Sequence, residues 1–310
     1  MPRLTGRWQK TMGKANINVF SQFTRFVHDS KQDGSRTVLY PSIRWDFNNQ
    51  WGYIRPKIGV HATYYDLGSF GNQSGRRVSR VLPIFNVDTG MTFERNANLF
   101  GNAYLQTLEP RLFYNYIPTK SQNDLPNFDT SENSFSYNQL FRENLYVGND
   151  RINSANSLTA AVQTRFFNPN NGAELFRAGI GQKFYFKNDK VLLDGSVGRY
   201  ERSQSDWVGF AHGKLSNSIH AGFDVHYNQN ESRAESYAAT IRYNPEPGKV
   251  LSARYKYGRN ERIYLQSDGN YFYDKIRQVD LAAQWPIRKN LYAVARYNYE
   301  IEAKKPLEML

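Results

Sequence analysis

Charged residues recur at alternate positions of short segments, and this spacing is the first clue to chemistry. Arg55 and Lys57 are two residues apart, as are Glu109 and Arg111. Residues two apart share one face of a β-strand, so each pair would point into the same compartment. Because a guanidinium group binds phosphate or carboxylate oxygens in a bidentate fork, rows of such residues predict a surface that attracts anions.

The histidine-containing segment 218–226 is the best candidate for catalysis or metal binding, and it does not meet the geometric requirements. His220, Asp224 and His226 would share a strand face, but a rise of about 3.3 Å per residue separates the two histidines by ~20 Å. Ser218 beside His220 would need further partners for a hydrolase triad. No phosphate-binding glycine loop or zinc-ligand spacing occurs. We therefore predict no catalytic, cofactor-binding or metal-binding residues and no enzymatic activity.

The composition places these residues on strands rather than helices. The 310 residues are 15% aromatic, yet the mean hydropathy is −0.70. A membrane barrel combines lipid-facing apolar residues, lumen-facing polar residues and aromatic girdles, which gives both values at once. No apolar run approaches the roughly 18 residues of a spanning helix. The chain has no cysteine, so it forms no internal disulfide.

The net charge of +12 predicts an anionic partner, such as nucleic acid or an acidic lipid surface. The basic residues are distributed over many segments and no nucleic-acid motif occurs, so we predict no nucleic-acid partner.

Period-two alternation predicts an all-β fold, a transmembrane antiparallel β-barrel of the outer membrane. In residues 54–64 the apolar Ile54, Ile58 and Val60 alternate with polar Arg55 and Lys57. By this criterion we expect roughly fourteen to sixteen strands in one domain over residues 1–310. Short turns would alternate with long loops at 68–77, 118–153 and 258–273, as in outer-membrane barrels. A soluble β-sandwich is the alternative, but its strands are usually about 5 or 6 residues long.

Tyrosines near the expected strand ends are typical of an interfacial belt, and we assign Tyr64, Tyr65, Tyr114, Tyr116, Tyr257, Tyr297 and Tyr299 to it.

A specific resemblance lies in residues 108–118, which read LEPRLFYNYIP and are similar to the EPR-x-x-Y-x-Y-x-P strand of the LptD family. The similarity continues in order through 124–130 (DLPNFDT), 135–142 (FSYNQLFR), 150–156 (DRINSAN) and 181–186 (GQKFYF). Weaker collinear matches at 49–52 and 283–287 extend it over most of the chain.

The resemblance implies a component that assembles lipopolysaccharide (LPS) into the outer leaflet of the outer membrane together with the lipoprotein LptE, which plugs the barrel. It implies about twenty-six strands in the whole barrel, and a lateral gate between the first and last of them. By this comparison the chain is a fragment: the N-terminal jelly-roll, which contacts a periplasmic LPS-bridge protein, and the first and last strands would lie outside it. The absence of an apolar secretory signal core near Met1 favours the same interpretation. A porin-like solute channel of the outer membrane is the alternative function.

The polar strand faces supply the candidates for the lumen wall and for contacts with the LPS head group. A charged wall is also what any water-filled barrel has, so these residues equally fit ordinary ion pairs. Energetics place Arg111 inward, because a lipid-facing Arg near the midplane costs about 2 to 4 kcal/mol. The candidates are Arg55, Lys57, Glu109, Arg111, Arg165, Arg177, Lys183, Arg242 and Arg254.

The long stretch 118–153 is predicted to fold back on the barrel and contact the plug, because loops of this length are usually functional. Simple self-packing of the loop is the alternative. The candidate contacts are Asp124, Phe128, Asp129, Tyr137, Phe141, Arg142, Asp150 and Arg151.

Overall fold

The structure, a computed structural model, describes residues 2–28, 30, 32–69, 71, 74–99, 101–200, 202–265 and 271–309. In those residues almost every segment between turns is a β-strand, and the one helix is the short 3₁₀ helix Tyr137–Phe141. None of the helical structure in this part of the chain is long and apolar enough to cross a membrane.

The strands follow one another along the chain with the bounds given next. They are β1 Arg3–Met12, β2 Ala15–Phe26, β3 Gly34–Trp45, β4 Phe47–Asn48, β5 Gly52–Leu67, β6 Arg76–Met91, β7 Phe93–Leu99, β8 Asn102–Ile117, β9 Ser131–Glu132, β10 Tyr146–Val147, β11 Ala155–Phe167, β12 Glu174–Tyr185, β13 Asp189–Val191, β14 Val197–Arg199, β15 Trp207–Lys214, β16 Ile219–Asn228, β17 Arg233–Tyr243, β18 Val250–Leu265, β19 Tyr271–Arg288, β20 Leu291–Glu300 and β21 Lys305–Met309.

Within the described residues, 17 strands form a single sheet, in which each long strand pairs antiparallel with the next. The short β4 and β7 continue β3 and β6 along the same neighbours. When β4 is counted with β3 and β7 with β6, the number of strands in the sheet agrees with the predicted fourteen to sixteen. Over the same residues β1 pairs only with β2, and β21 only with β20, so the sheet is open, as expected for part of a larger barrel.

The two ends of the sheet differ, because short turns lie at one end and long connections at the other. Residues 13–14 and 289–290 are tight turns, whereas 118–154 and 186–206 are long segments at the opposite end. In outer-membrane barrels short turns face the periplasm and long loops face outward. The long strands β5, β6 and β8 have 16 residues each, more than the roughly 9 to 11 that cross a bilayer.

The outer face of the sheet is apolar and the inner face polar, which confirms the predicted alternation. Ile58 and Val60 are exposed on the outer face, whereas Lys57 and His61 lie on the inner face. We define the inner loop as residues 118–154, which pack against that inner face. Apolar residues are also buried beneath it, and Leu82, Ile84, Ile117 and Ile152 form one such cluster.

Two predictions about local structure are wrong. Residues 258–265 and 271–273 belong to the strands β18 and β19 instead of a long loop; 266–270 lie outside the described residues. Both strands are polar at this end, so composition favoured a loop. Tyr65 does not belong to an interfacial belt: its ring lies on the inner face, fully buried, and its hydroxyl donates to Asp150 at 3.0 Å.

A charge on the outer face should destabilise the protein. Leu112 lies on this face in the middle of β8, and 44% of its surface is exposed. We expect Leu112→Arg in the full-length protein to lower the free energy of unfolding by about 2 to 4 kcal/mol, because lipid cannot solvate a guanidinium group. Urea unfolding in lipid vesicles measures this difference, with Leu112→Ala as the control for lost side-chain volume. An Arg variant as stable as the Ala variant would contradict the assigned lipid face.

Candidate functional site

The inner loop is fixed to the wall by Arg36, which projects from the inner face of β3. One guanidinium nitrogen of Arg36 donates to Asp129 Oδ1 and to Asp150 Oδ1, both at 2.6 Å. The other donates to Asp129 Oδ2 at 2.9 Å. The side chains of Arg36 and Asp150 have no exposed surface. A charge buried to this degree must keep its partner, since loss of one member of such a pair is strongly destabilising.

Asp150 also organises the loop itself. Its second oxygen, Oδ2, accepts the backbone N–H groups of Phe128 at 2.8 Å and Asp129 at 2.9 Å. One carboxylate therefore joins two stretches of the loop to β3 through Arg36 and to β5 through Tyr65. Phe128 stacks on Phe26 of β2, with ring centroids 4.2 Å apart, so an apolar contact adjoins the ion pair.

Arg80 of β6 holds the loop backbone, and its hydrogen-bond partners among the described residues are uncharged groups. Its guanidinium donates to the carbonyl oxygens of Asp150 at 2.6 Å and Asn149 at 2.8 Å, and to Gln122 Oε1 at 2.6 Å. Arg80 is almost fully buried. Its hydrogen bonds therefore compensate for desolvation of the guanidinium, and they fix the path of the loop over the wall.

Glu143 forms a second anchor toward the middle of the wall. Its carboxylate accepts hydrogen bonds from Lys57 Nζ at 2.5 Å, the Tyr40 hydroxyl at 2.7 Å and Asn86 Nδ2 at 2.7 Å. Nearby, Arg111 forms a two-bond pair with Asp88, at 2.8 and 2.7 Å. The Arg111 guanidinium carbon also lies 3.8 Å from the ring centre of Phe141, a cation–π contact with the loop.

The described residues of the segment 186–206, namely 186–200 and 202–206, pack over the inner loop from the long-loop end. The Arg151 guanidinium donates to the carbonyl oxygens of Leu125 at 2.8 Å and Leu193 at 2.9 Å, which joins the two segments. Gly195 has a positive φ of 98°, and a Cβ there would overlap the Gln122 carbonyl. Only glycine satisfies this close approach.

The electrostatic environment favours the ionised form of the loop carboxylate Asp129. Burial by itself would raise the pKa of Asp129, but the hydrogen bonds and positive charge of Arg36 outweigh it and lower the pKa below its usual range. Arg3, which donates to Asp129 Oδ2 at 2.8 Å, acts in the same direction. The loop is therefore attached to the wall through charge at neutral pH.

Strand register places every side chain predicted for the lumen wall on the inner face, in three groups. Lys57 and Arg111 contact the inner loop, and Lys183 is buried beside it. Toward the short turns, Arg165 lies between Glu109 at 3.8 Å and Glu174 at 3.4 Å. The remaining candidates are Arg177 beside Glu174, Arg55 beside Asp46, and Arg242 and Arg254 on β17 and β18.

The predicted loop residues divide into anchors and exposed positions. Asp129, Asp150 and Arg151 hold the loop in place, as described above. Phe128, Tyr137 and Phe141 pack through their rings, the Tyr137 ring lying 4.8 Å from that of Phe210 on β15. The side chains of Asp124 and Arg142 are exposed, so these two are the candidates that remain accessible to a partner.

Sequence patterns did not single out three of the principal anchors, Arg36, Arg80 and Glu143. The two arginines do alternate with apolar residues along their strands, which is a signal for the inner face. Their partners lie far along the chain, however, and Asp150 is 114 residues from Arg36. The segment 218–226 brings no cluster together: His226 contacts Asp206 at 2.8 Å, and the described residues contain no group of three or more potential metal ligands.

Comparison with known proteins assigns the family. Residues 1–291 match the family described as LptD: LPS transport system D. The chain belongs to this family. It is 67% identical over 310 residues to the LPS-assembly protein LptD of Neisseria meningitidis serogroup A, covering the whole chain and 39% of that protein. The LPS-assembly protein LptD of Chromobacterium violaceum is 43% identical over 312 residues, with 38% of its length covered.

The chain thus spans well under half the length of the LptD relatives that it matches. Family membership and the two-faced sheet together make it a β-barrel protein of the bacterial outer membrane. The siderophore receptor PirA of Acinetobacter baumannii aligns with 96% of this chain and 52% of its own at 8% identity, with a TM-score of 0.48, too low to carry an argument.

Removing the charge of Asp150 should release the inner loop while the sheet persists. We expect Asp150→Asn in the full-length protein to destabilise the attached state of the loop by at most roughly 3 to 5 kcal/mol, because Arg36 loses the buried ionic partner Asp150 and keeps Asp129. Limited proteolysis of the folded protein should then cut within 124–153. Asp124→Asn makes the same chemical change at an exposed position and should leave the loop resistant. Equal resistance of both variants would contradict the anchoring role.

The attachment of the loop should also depend on pH, and it should weaken as the pH falls. Because the pKa of Asp129 is lowered in the folded protein, its contribution is fully present above the unfolded pKa of about 4 and is lost as the pH falls through the lower folded value. Cleavage of the loop by an acid-active aspartic protease should therefore stay slow at about pH 5 and accelerate below about pH 4. Acceleration already between pH 7 and 5 would contradict this assignment.

Proposed function

We propose that this chain forms part of the wall of a translocon that assembles LPS into the outer leaflet of the outer membrane, together with LptE. The observation that carries the proposal is the LptD match over residues 1–291 on a sheet whose inner face is basic. The chain would act without enzymatic chemistry. Its role would be to offer LPS a polar, positively charged interior beside an apolar membrane.

Residues 1–310 would all belong to one barrel domain, with the jelly-roll and the remaining strands supplied by the rest of the protein. The open edges of the sheet at β1 and β21, and the 39% coverage of the meningococcal relative, support this division. Contact with a periplasmic LPS-bridge protein would be made by the jelly-roll.

The charge distribution suggests how the inner face would serve LPS. The head group carries phosphates and acidic sugars, which Arg binds through paired hydrogen bonds. A hollow of about 370 Å³ below the inner loop is lined by Arg7, Arg44 and Lys57 among polar residues. Across the sheet, Arg242 and Arg254 lie on the inner face of β17 and β18, and Arg254 lines a hollow with the loop residue Tyr137. These basic positions would guide the head group.

The inner loop would serve as the platform for LptE. Its anchors hold it rigidly against β3, β5 and β6, so its opposite surface is presented at a fixed place in the barrel. The exposed Asp124 and Arg142 lie on that free surface. A rigid platform favours binding, because no loop has to be ordered when the partner docks.

The test uses the full-length protein purified with LptE and titrated with LPS. We expect Arg242→Gln combined with Arg254→Gln to weaken LPS binding by roughly thirtyfold, since each lost cation removes on the order of 1 kcal/mol of attraction to anionic lipid. Arg242→Lys combined with Arg254→Lys keeps both positive charges at the same positions, and it should weaken LPS binding much less.

LptE capture provides a second readout of the same preparations. Asp150→Asn should reduce the amount of LptE that copurifies, whereas Asp124→Asn tests whether the exposed surface itself makes the contact. If the unaltered protein binds neither LPS nor LptE but conducts small solutes in planar bilayers, a porin-like channel replaces the proposed function.

A further inference from the structure

The outer face of the sheet carries an elongated apolar hollow on strands β17 to β20. Three alanines of the outer face, Ala253, Ala283 and Ala295, line its floor, and its volume is about 570 Å³. Ser252, Ala282 and Arg296, at alternate positions of the same strands, also line it. Larger residues border the floor on the same face; they are Ile241, Tyr243, Leu251, Leu281 and Tyr297. Each of these five keeps 38% or more of its surface exposed, so the described chain leaves the hollow open to the membrane.

Strand register explains why a depression forms there. Ala283 lies between Leu251 and Ala295, and the adjacent row places Ala253 beside Leu281. Ala283 and Ala295 are neighbours, and Ala253 lies diagonally from Ala283. Their small side chains leave a depression that larger side chains would fill. A flexible hydrocarbon chain is the shape that fits a narrow apolar depression between larger side chains.

The end of the hollow near the short turns is basic. Lys249 Nζ lies 5.5 Å from the ring centre of Trp285, which follows Ala283 on the outer face. Arg288 and Lys289 are exposed at the adjacent turn between β19 and β20. Glu246 is the acidic residue at this rim and lies 2.8 Å from Lys249, so the rim keeps an excess of positive charge.

The position of this rim indicates which lipid would meet it. Short turns face the periplasm, and tryptophan and lysine at a barrel end mark the level of the lipid head groups. The hollow therefore extends from the periplasmic head-group level into the hydrocarbon region. Anionic head groups are attracted to lysine and arginine at this level.

We propose that this hollow binds one anionic phospholipid of the periplasmic leaflet, with an acyl chain over the three alanines and the phosphate at Lys249. The proposal depends on the membrane placement of the sheet and not on transport of LPS. A result that contradicts the proposed function would not contradict the lipid site, and a result that contradicts the lipid site would not contradict the proposed function.

Native mass spectrometry of the full-length protein in nonionic detergent tests the proposal, with phosphatidylglycerol and phosphatidylethanolamine titrated in parallel. Phosphatidylglycerol should be retained more strongly. Lys249→Gln should weaken its binding about fivefold and remove the preference, which corresponds to the ~1 kcal/mol contributed by one basic residue at an anionic lipid surface.

Ala283→Leu fills the floor of the hollow and should reduce retention of both lipids. Ala62→Leu is the matched control, because Ala62 faces lipid on β5 between the exposed Val60 and Tyr64. Heat-modifiable migration on gels verifies that each variant is folded. Lys249 lies in the turn between β17 and β18, so Lys249→Gln should not disturb folding. Equal retention by the Ala283 and Ala62 variants, or equal retention of the two lipids by the unaltered protein, would overturn the proposal.

Discussion

The buried contact between Arg36 and Asp150 determines how the interior of this sheet is organised. Neither side chain reaches solvent, so the Asp150 charge is compensated by Arg36, and the Arg36 charge by Asp150 together with Asp129. Asp150 in turn accepts two backbone N–H groups of the inner loop and the hydroxyl of Tyr65. The contact thereby fixes a long polar connection against the barrel wall.

The single layer of strands separates two environments, one on each face of the sheet. On the outer face, apolar side chains contact lipid. Lipid cannot form hydrogen bonds with the backbone N–H and C=O groups, so these groups pair between strands. On the inner face, the loop supplies carboxylate or carbonyl oxygens that compensate basic side chains, as at Arg80 and Lys57. Where the loop ends, at β17 and β18, basic side chains line an open interior, which is the property the proposed transport of an anionic lipid requires.

Local pattern was sufficient to predict the strands and their faces, because the period of two is a property of each strand alone. Residues 54–64 show this: Ile58 and Val60 face outward and Lys57 inward, as predicted. Composition was misleading at 258–265 and 271–273, where polar residues continue β18 and β19. Position near a strand end was misleading at Tyr65, whose parity places it inside. The pairings of Arg36 with Asp150 and of Lys57 with Glu143 could not be predicted, since they join residues 114 and 86 apart and depend on the path of the loop in space.

Hydrogen exchange of the backbone amides in the inner loop tests most directly whether it is a fixed part of the wall. In the full-length protein, the amides of Phe128 and Asp129 are bonded to the Asp150 carboxylate at 2.8 and 2.9 Å. We expect peptides covering 127–131 to exchange as slowly as those from the middle of β5, because exchange requires the buried ion pair to open. Exchange of these peptides at the rate of an unprotected chain, with β5 still protected, would contradict it.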